Sequence, residues 1–492
     1  MNNIPSVTLG LVVVSRDCFL KSLAQSRREA LASECRKRKL PLYECPVLVE
    51  NEHDTKQALD DLNGKCNALV VYLGNFGPET PETLLAQHFP GPTLYVAAAE
   101  EDNLIDGRGD AYCGLLNCSY NLGLRGIRAV IPETPVGTPD MLADVIARYI
   151  PVLRAAIGVR ALKILSFGPR PQDFFACNAP IKQLYDLGVE VEENSELDLL
   201  LAYRKHEGDA RIQDVAADMA RELGEGNHYP DLLPKLAQYE LTLLDWAEEH
   251  RGMRDYVTFA NKCWPAFPGA FEFEPCYVNS RLAAKGIPVA CEVDLYGSLS
   301  EYILACLTGD AVTLLDINNT VPRALYDEDI AGKYPYRADE LFMGFHCGNT
   351  PLCKLRKGAL CYQLIQNRLL ENKGTPDITR GTLEGDLAAS ALTLFRLQGA
   401  ADGSLKAYAA QGESLNVASR SFGGIGILAV PEMARFYRHV LIEHRFPHHT
   451  AVGFAHCGFE VFELLKYLGV PEISYNQPKT VRYPSENPFG GV

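Results

Sequence analysis

Over the first third of the chain, short apolar runs alternate with longer amphipathic stretches. Residues 8–14 are almost wholly apolar and predict a buried strand; residues 19–37 carry apolar positions at helical spacing with arginine and lysine between them. The same reading gives a strand at 40–48, a helix at 55–63, and strands at 68–73, 93–98 and 129–131. Near-continuous apolar strands joined by amphipathic helices predict a parallel sheet covered on both faces. A second unit of this kind begins near Ala161, with a strand at 163–167, a helix end at 181–188 and a strand at 189–191. A long polar helical stretch follows over 209–250, then strand ends running into loops at 260–264 and 289–291, a helix at 299–307 and a strand at 311–316.

The texture changes after Asn318. Glycine and proline become frequent, and short β-like runs at 358–364, 388–397, 405–410 and 425–430 replace the strand–helix alternation, with helical stretches returning at 431–443 and 459–468. This predicts a mostly antiparallel, barrel-like domain. The fold expected is α/β: two doubly wound α/β domains over residues 1–158 and 159–317, then a β-rich domain over 318–492.

Composition narrows the function classes. At 492 residues the chain is too long for one core, and 47% hydrophobic residues rule out a disordered chain. A net charge of −15 argues against nucleic acid and an anionic membrane as partners, since phosphate binding needs a basic surface. It leaves room for an anionic small substrate in a locally basic pocket. Fifteen cysteines, an odd number without a regular framework, read as free thiols of a cytoplasmic protein. The apolar run at 7–14 has no basic stretch before it and reads as a strand, not a signal core. No GxGxxG follows the first strand, no GxxxxGK[ST] occurs, and Gly423-Gly424-Ile425-Gly426 reads as a turn.

The candidate chemistry lies in the second half. Glu292, in Cys291-Glu292-Val293-Asp294, follows an apolar strand, and Asp316 ends another strand 24 residues later. Strand–helix–strand spacing predicts both carboxylates at one sheet edge, where open α/β sheets place ligands. Two hard oxygen ligands there suit Mg²⁺ or Mn²⁺. His346, in Phe345-His346-Cys347-Gly348, and the pair His448-His449 could complete such a site. Adjacent histidines in a strand point to opposite faces, so at most one of that pair is expected as a ligand. No CxxC pair occurs, which weakens a zinc reading.

Lys262-Cys263-Trp264-Pro265, Gly286-Ile287-Pro288 leading to Glu292 and Asp294, and then Asp316 together resemble the middle of the L-fucose isomerase-like proteins. His346-Cys347-Gly348 and Pro447-His448-His449 are similar to their C-terminal domain, and His448-His449-Thr450 also resembles the paired histidines of L-arabinose isomerases. Ser15-Arg16-Asp17 and Leu73-Gly74-Asn75-Phe76-Gly77-Pro78-Glu79 extend the resemblance to the N-terminal part. The resemblance implies two Rossmann-like domains and a C-terminal β-rich domain. It implies Glu292, Asp316 and His449 as metal ligands with His346 beside them, and Mn²⁺ as the ion, with Mg²⁺ or Co²⁺ as alternatives. It implies a closed homo-oligomer, hexamer or trimer, whose active sites are shared between subunits. On that pattern Arg16, Asn75 and Phe76 would face a neighbour's sugar, with Lys262, Trp264 and His346 as further substrate contacts. True fucose isomerases are longer and differ in their N-terminal sequence; the Glu-then-Asp order leans towards the fucose type.

The expected activity is aldose–ketose isomerisation of an open-chain monosaccharide through a cis-enediol(ate), with Glu292 and Asp316 as acid and base. Lys262 could instead form a Schiff base, against the plainer reading of a lysine paired with a carboxylate. The rival functions are a metal-dependent epimerase or lyase on the same scaffold, and a non-catalytic sugar-binding protein.

Overall fold

The computed structural model describes residues 3–373 and 377–489. By internal contacts the chain divides into two compact units, one of residues 5–157 and 463–469, the other of 1–4, 158–462 and 470–492. Among the described residues no helix is long and apolar enough to cross a membrane, and all fifteen cysteines are free.

In the first unit, β1 (Leu9–Val14), β2 (Leu42–Val49), β3 (Ala68–Leu73), β4 (Thr93–Ala98) and the short β5 (Val136–Gly137) form a parallel sheet in the order β2-β1-β3-β4-β5. Strands β1, β3 and β4 are buried at every position, as their unbroken apolar runs require. Helices α1 (Lys21–Lys37), α2 (Glu52–Leu62), α3 (Glu79–His88), α4 (Ala111–Leu124) and α5 (Pro139–Arg160) alternate with them. The expected strand at 129–131 is reduced to one bridge, between Val130 and Leu94. In this strand order the chain leaves β1 and β3 towards opposite sides, which opens a crevice at their carboxyl ends. Arg16 and Asn75 follow those two strands.

The second unit holds two sheets. β6 (Leu162–Phe167), β7 (Glu190–Asn194), β8 (Tyr256–Ala260) and β9 (Val289–Ala290) make a parallel sheet in the order β7-β6-β8-β9. Helix α6 (Glu196–Lys205) starts at a reciprocal cap between Ser195 and Asp198. The polar stretch expected as one long helix is two, α7 (Ile212–Leu223) and α8 (Leu233–His250), because Gly224, Gly226 and Pro230 interrupt it. α9 (Cys276–Ala284) and α10 (Leu295–Thr308) follow. α10 is buried on all sides from Leu295 to Leu307, since it packs against β8 and β9 as well as β10, β14 and β17 of the second sheet.

That second sheet contains β10 (Val312–Asn319), β11 (Leu341–His346), β12 (Ala359–Tyr362), β13 (Arg380–Asp386), β14 (Ser390–Gly399), β15 (Leu405–Ser414), β16 (Gly424–Ala429), β17 (His449–Gly453) and β18 (Glu472–Tyr475). Its order is β12-β13-β16-β11-β10-β17-β14-β15-β18, and a further β15–β16 pairing closes six of the strands into a ring. Closure removes the edges that an open sheet would expose. The strand carrying Asp316 was expected beside the Glu292 strand in one parallel sheet. Instead β10 lies inside the antiparallel ring, between β11 and β17.

Candidate active site

The site is built where the carboxyl ends of β6, β8 and β9 meet the ring. β9 ends at Ala290, and the backbone turns sharply: Glu292 and Val293 both have positive φ, 59° and 57°. Such conformations are unfavourable for residues with a Cβ and persist only where the surroundings hold them. Here the turn throws the Glu292 side chain out of the sheet, while Asp294 caps α10 by accepting a hydrogen bond from Gly297 N at 2.9 Å. Only glycine fits at 297, because a Cβ there would lie 2.6 Å from Asp294 Oδ2. From the ring, register supplies the rest: Asp316 of β10 pairs directly with His449 of β17 on one side and with Phe345, next to His346, on the other.

Three atoms converge without hydrogen-bond partners: Glu292 Oε2, Asp316 Oδ1 and His449 Nε2. His449 Nε2 lies 3.3 Å from Glu292 Oε2 and 3.4 Å from Asp316 Oδ1, and His448 Nε2 is 3.5 Å from the same Asp316 oxygen. Orphaned buried polar atoms call for an occupant, and ligand atoms around a small hard cation stand roughly 3 Å apart. The donor set of carboxylate oxygens and imidazole nitrogen fits a divalent cation of the Mg²⁺–Mn²⁺ class. Cys177, Glu292 and His449, and likewise Asp316, His448 and His449, bring their ligand atoms within 4.8 Å of one another. A third such group, His206, Asp209 and Asp245, is an ion-pair cluster threaded by the Arg211 guanidinium, 2.6 Å from both carboxylates.

Behind these groups lies a buried charged layer. His449 Nδ1 is 2.8 Å from Asp294 Oδ2, and the same carboxylate takes a two-pronged contact from Arg396, 2.5 and 2.9 Å long. Gln398 Oε1 accepts two further bonds from Arg396. A carboxylate on the far nitrogen of a histidine fixes its ring and leaves the other nitrogen facing the site. Cys177 Sγ is 3.7 Å from His449 Nδ1.

The electrostatics follow from this burial. Burial pushes the Asp316 carboxyl up to about 6, aided by Glu292 and opposed by His449. Burial also raises Glu292, but the His449 and His346 imidazoles and the Trp264 indole bring it below the usual carboxylate value. For Asp294, burial is overcome by Arg396 and His449, which hold it well below the ordinary range. Burial disfavours a charged His449, yet Asp294, Cys177 and Glu292 raise it well above an ordinary histidine. His346 and His448 go the other way: burial and the neighbouring His449 lower each to about 4.

A cavity of about 470 Å³ opens onto these groups. Glu292, Asp316 and His346 line it with Trp264, the thiols of Cys263, Cys291 and Cys347, and the amides of Asn318, Gln363, Gln366 and Asn367. Trp264 Nε1 is 3.4 Å from Glu292 Oε1. Phe174, from the loop after β6, stands edge-on to the rings of Trp264 and His448.

Glu292, Asp316 and His449 are thus brought together, although by a different route from the one expected. His346 shares the cavity, its ring 5.9 Å from that of His449, and its Nδ1 accepts from Cys347 N at 2.9 Å. Lys262 does not line the cavity: it is buried and pairs with Glu196 at 3.1 Å, the plainer of the two readings of that lysine. In the first unit the Arg16 guanidinium lies over the Phe76 ring at 5.0 Å, and both residues are half-buried. Asn75, expected to face a sugar, is fully buried. Its Oδ1 accepts from Arg16 N and Gly77 N and its amide donates to Ser15 Oγ, so it organises the loop.

Four residues at the site were not assigned a place there by the sequence reading. His448 was set aside by strand alternation, but β17 begins only at His449, so alternation does not apply to the pair. Arg396 carried a usable signal, a lone cation in the apolar strand β14. Phe174 and Cys177 carried none, because their loop is placed by the tertiary fold.

Comparison with known proteins agrees with the geometry. The family described as fucose/sulfoquinovose isomerase, N-terminal domain, matches residues 10–160, and L-fucose isomerase, C-terminal domain, matches residues 344–475. A sulfoquinovose isomerase of Alkalicoccus urumqiensis is 25% identical over 348 residues, 68% of this chain and 70% of that protein. One of Priestia aryabhattai is 28% identical over 179 residues, 35% of this chain and 38% of its own length. One of Clostridium sp. (strain MSTE9) is 36% identical over 84 residues, 15% and 19% of the two chains. With both terminal domains matched and the carboxylate–histidine centre between β9 and the ring, the chain belongs to the L-fucose isomerase-like family of aldose–ketose isomerases.

Proposed function

We propose that this enzyme is a cytoplasmic, divalent-metal-dependent isomerase acting on an open-chain aldose through a cis-enediolate, with Glu292 and Asp316 as the acid/base pair. The observation that carries the reading is the convergence of Glu292 Oε2, Asp316 Oδ1 and His449 Nε2 without hydrogen-bond partners. Those three residues, with His448 adjacent, would hold the ion, Mn²⁺ being the first choice and Mg²⁺ or Co²⁺ the alternatives. When bound, it supplies positive charge that stabilises the negative charge developing on the substrate oxygens.

The chain's own groups do the rest. Moving the carbonyl between C1 and C2 requires a proton to leave one carbon and reach its neighbour. Glu292 and Asp316 reach the site from different sheets, so one can take the proton while the other serves the oxygens. Asp294 and Arg396 hold the His449 ring. Trp264 walls the cavity, backed edge-on by Phe174, and limits water around the intermediate.

The curated relatives make sulfoquinovose, a sulfonated aldose, the first substrate to test. The polar side chains that line the cavity are amides, thiols, carboxylates, an imidazole and an indole. A sulfonate would therefore take hydrogen bonds from the amides and its countercharge from a neighbouring subunit, with Arg16 the candidate, in a homo-oligomer with shared sites.

The test is NMR of the purified protein with sulfoquinovose, L-fucose and L-arabinose in deuterated water, with Mn²⁺ or EDTA. A ketose formed only with metal and carrying deuterium at C1 or C2 is the expected result, and Glu292→Gln should abolish it while leaving the fold intact. Wild-type turnover by Glu292→Gln would overturn the acid/base assignment.

A further inference from the structure

Cys263, Cys291 and Cys347 line the catalytic cavity as free thiols. The first two are neighbours because of the sheet. β8 and β9 run parallel, with Phe259 opposite Val289 and Ala260 opposite Ala290. Beyond the strand ends the two segments stay together: Asn261 N donates to Ala290 O at 3.0 Å, and Val293 N donates to Asn261 O at 2.9 Å. Cys263 and Cys291 leave this paired stretch side by side, and their thiols hydrogen-bond to each other. Both residues are buried, 3% and 6% exposed, yet both reach the cavity wall. Gln366 Nε2 donates to Cys263 Sγ at 3.2 Å. No step of the isomerisation uses either thiol.

We propose that Cys263 and Cys291 form a two-coordinate site for a soft monovalent cation, Cu⁺, separate from the carboxylate–histidine centre. Ligand chemistry selects the ion. Thiolates suit soft cations, whereas Mg²⁺ and Mn²⁺ take oxygen ligands. Coordination number selects further. A structural zinc site needs four ligands. Among the described residues, the compact groups of three histidine, cysteine or carboxylate ligands are those already named, and none contains this pair. Cu⁺ has a filled d shell and is satisfied by two thiolates in line. Each thiol gives its proton to solvent as its sulfur binds, so one Cu⁺ and two thiols become a bis-thiolate centre of one net negative charge and two released protons. Gln366 meets that charge with an amide hydrogen on Cys263 Sγ, as outer hydrogen bonds do at other metal centres. Trp264 and Glu292 directly follow the two cysteines and line the same cavity, so uptake of the ion alters the catalytic wall itself.

Anaerobic titration of the full chain with Cu⁺, in competition with the chelator bicinchoninate, tests this without any isomerase assay. The wild type should hold one Cu⁺ tightly, and Cys263→Ser and Cys291→Ser should each lose that tight site with unchanged far-UV circular dichroism. Cys177→Ser, which removes the thiol beside His449, should keep it, and so should Cys353→Ser, which removes an exposed thiol. Copper X-ray absorption on the loaded wild type gives a readout that needs no variant: a linear ion with two sulfur neighbours, which excess Mn²⁺ does not displace. A wild type without a tight Cu⁺ overturns the proposal. So does a tight site that survives both serine variants at 263 and 291, one lost in Cys177→Ser, an ion held by one sulfur and one nitrogen, or displacement by Mn²⁺.

Discussion

Replacing Asp294 by asparagine isolates the buried layer behind His449. Asp294 and Arg396 are fully buried, and the carboxylate meets Arg396 through two contacts and His449 Nδ1 through a third. Asparagine keeps the shape and still caps α10 through Gly297 N, so the helix start is not at issue. What is lost is the negative charge that neutralises a buried guanidinium. Breaking a buried ion pair from one side costs about 3–5 kcal/mol, because the remaining charge is left uncompensated. Loss of the carboxylate that fixes a histidine ring lowers metal affinity about 10- to 100-fold. Urea unfolding in EDTA reads the first quantity and calorimetric titration with Mn²⁺ the second. Adding Arg396→Met removes the stranded charge, so the double variant should regain about half or more of the lost stability, a coupling that non-interacting residues would not show. If Asp294→Asn unfolded within about 1 kcal/mol of the wild type and bound metal as tightly, this account of His449 would be wrong.

Three further outcomes are expected. Burial pushes the Glu82 carboxyl from its ordinary 4.5 up to about 8, with Glu79 adding to the rise and the Cys118 thiol and Arg16 opposing it. The folded form then holds a proton that the unfolded chain has released, so this group's contribution is complete below about 4.5 and is lost as pH rises to about 8. Glu82→Gln should flatten that dependence and be the more stable protein at pH 8.5, by about 5 kcal/mol; urea unfolding from pH 5 to 9 with equal slopes for both proteins would contradict it. Mn²⁺ at about 100 times its dissociation constant should stabilise the wild type by about 2.7 kcal/mol. In thermal melts EDTA should reverse this effect, and Glu292→Gln should lose most of it. Gly114→Ala should destabilise the N-terminal unit by about 1–3 kcal/mol, since the added Cβ meets Phe76 backbone at 2.0 Å and α4 must move. A melt superimposable on the wild type would count against that packing.

The sequence by itself determined the local elements and singled out the central candidate residues. Apolar runs such as Leu9–Val14 and Ala68–Leu73 read as buried strands, and the pattern places them almost to the residue. Glu292, Asp316 and His449 were legible because each is a polar residue at the end of an apolar run, in motifs resembling one family. The partners of a strand are not written in its residues. The strand Val312–Asn319 reads Val-Thr-Leu-Leu-Asp, a pattern equally suited to a parallel core strand or to one in a ring. Burial of α10 between the parallel sheet and the ring decided the matter, and the register of β10 against β17 then set Asp316 beside His449. The same holds for Arg396 and Asp294, 102 residues apart in the chain. Their meeting depends on β14 and the start of α10 arriving at one place, and periodicity carries no information on contacts of that range. Side-chain chemistry and spacing are local properties. The convergence of donors from two sheets is a property of the packed whole, fixed only when the helix between them is buried.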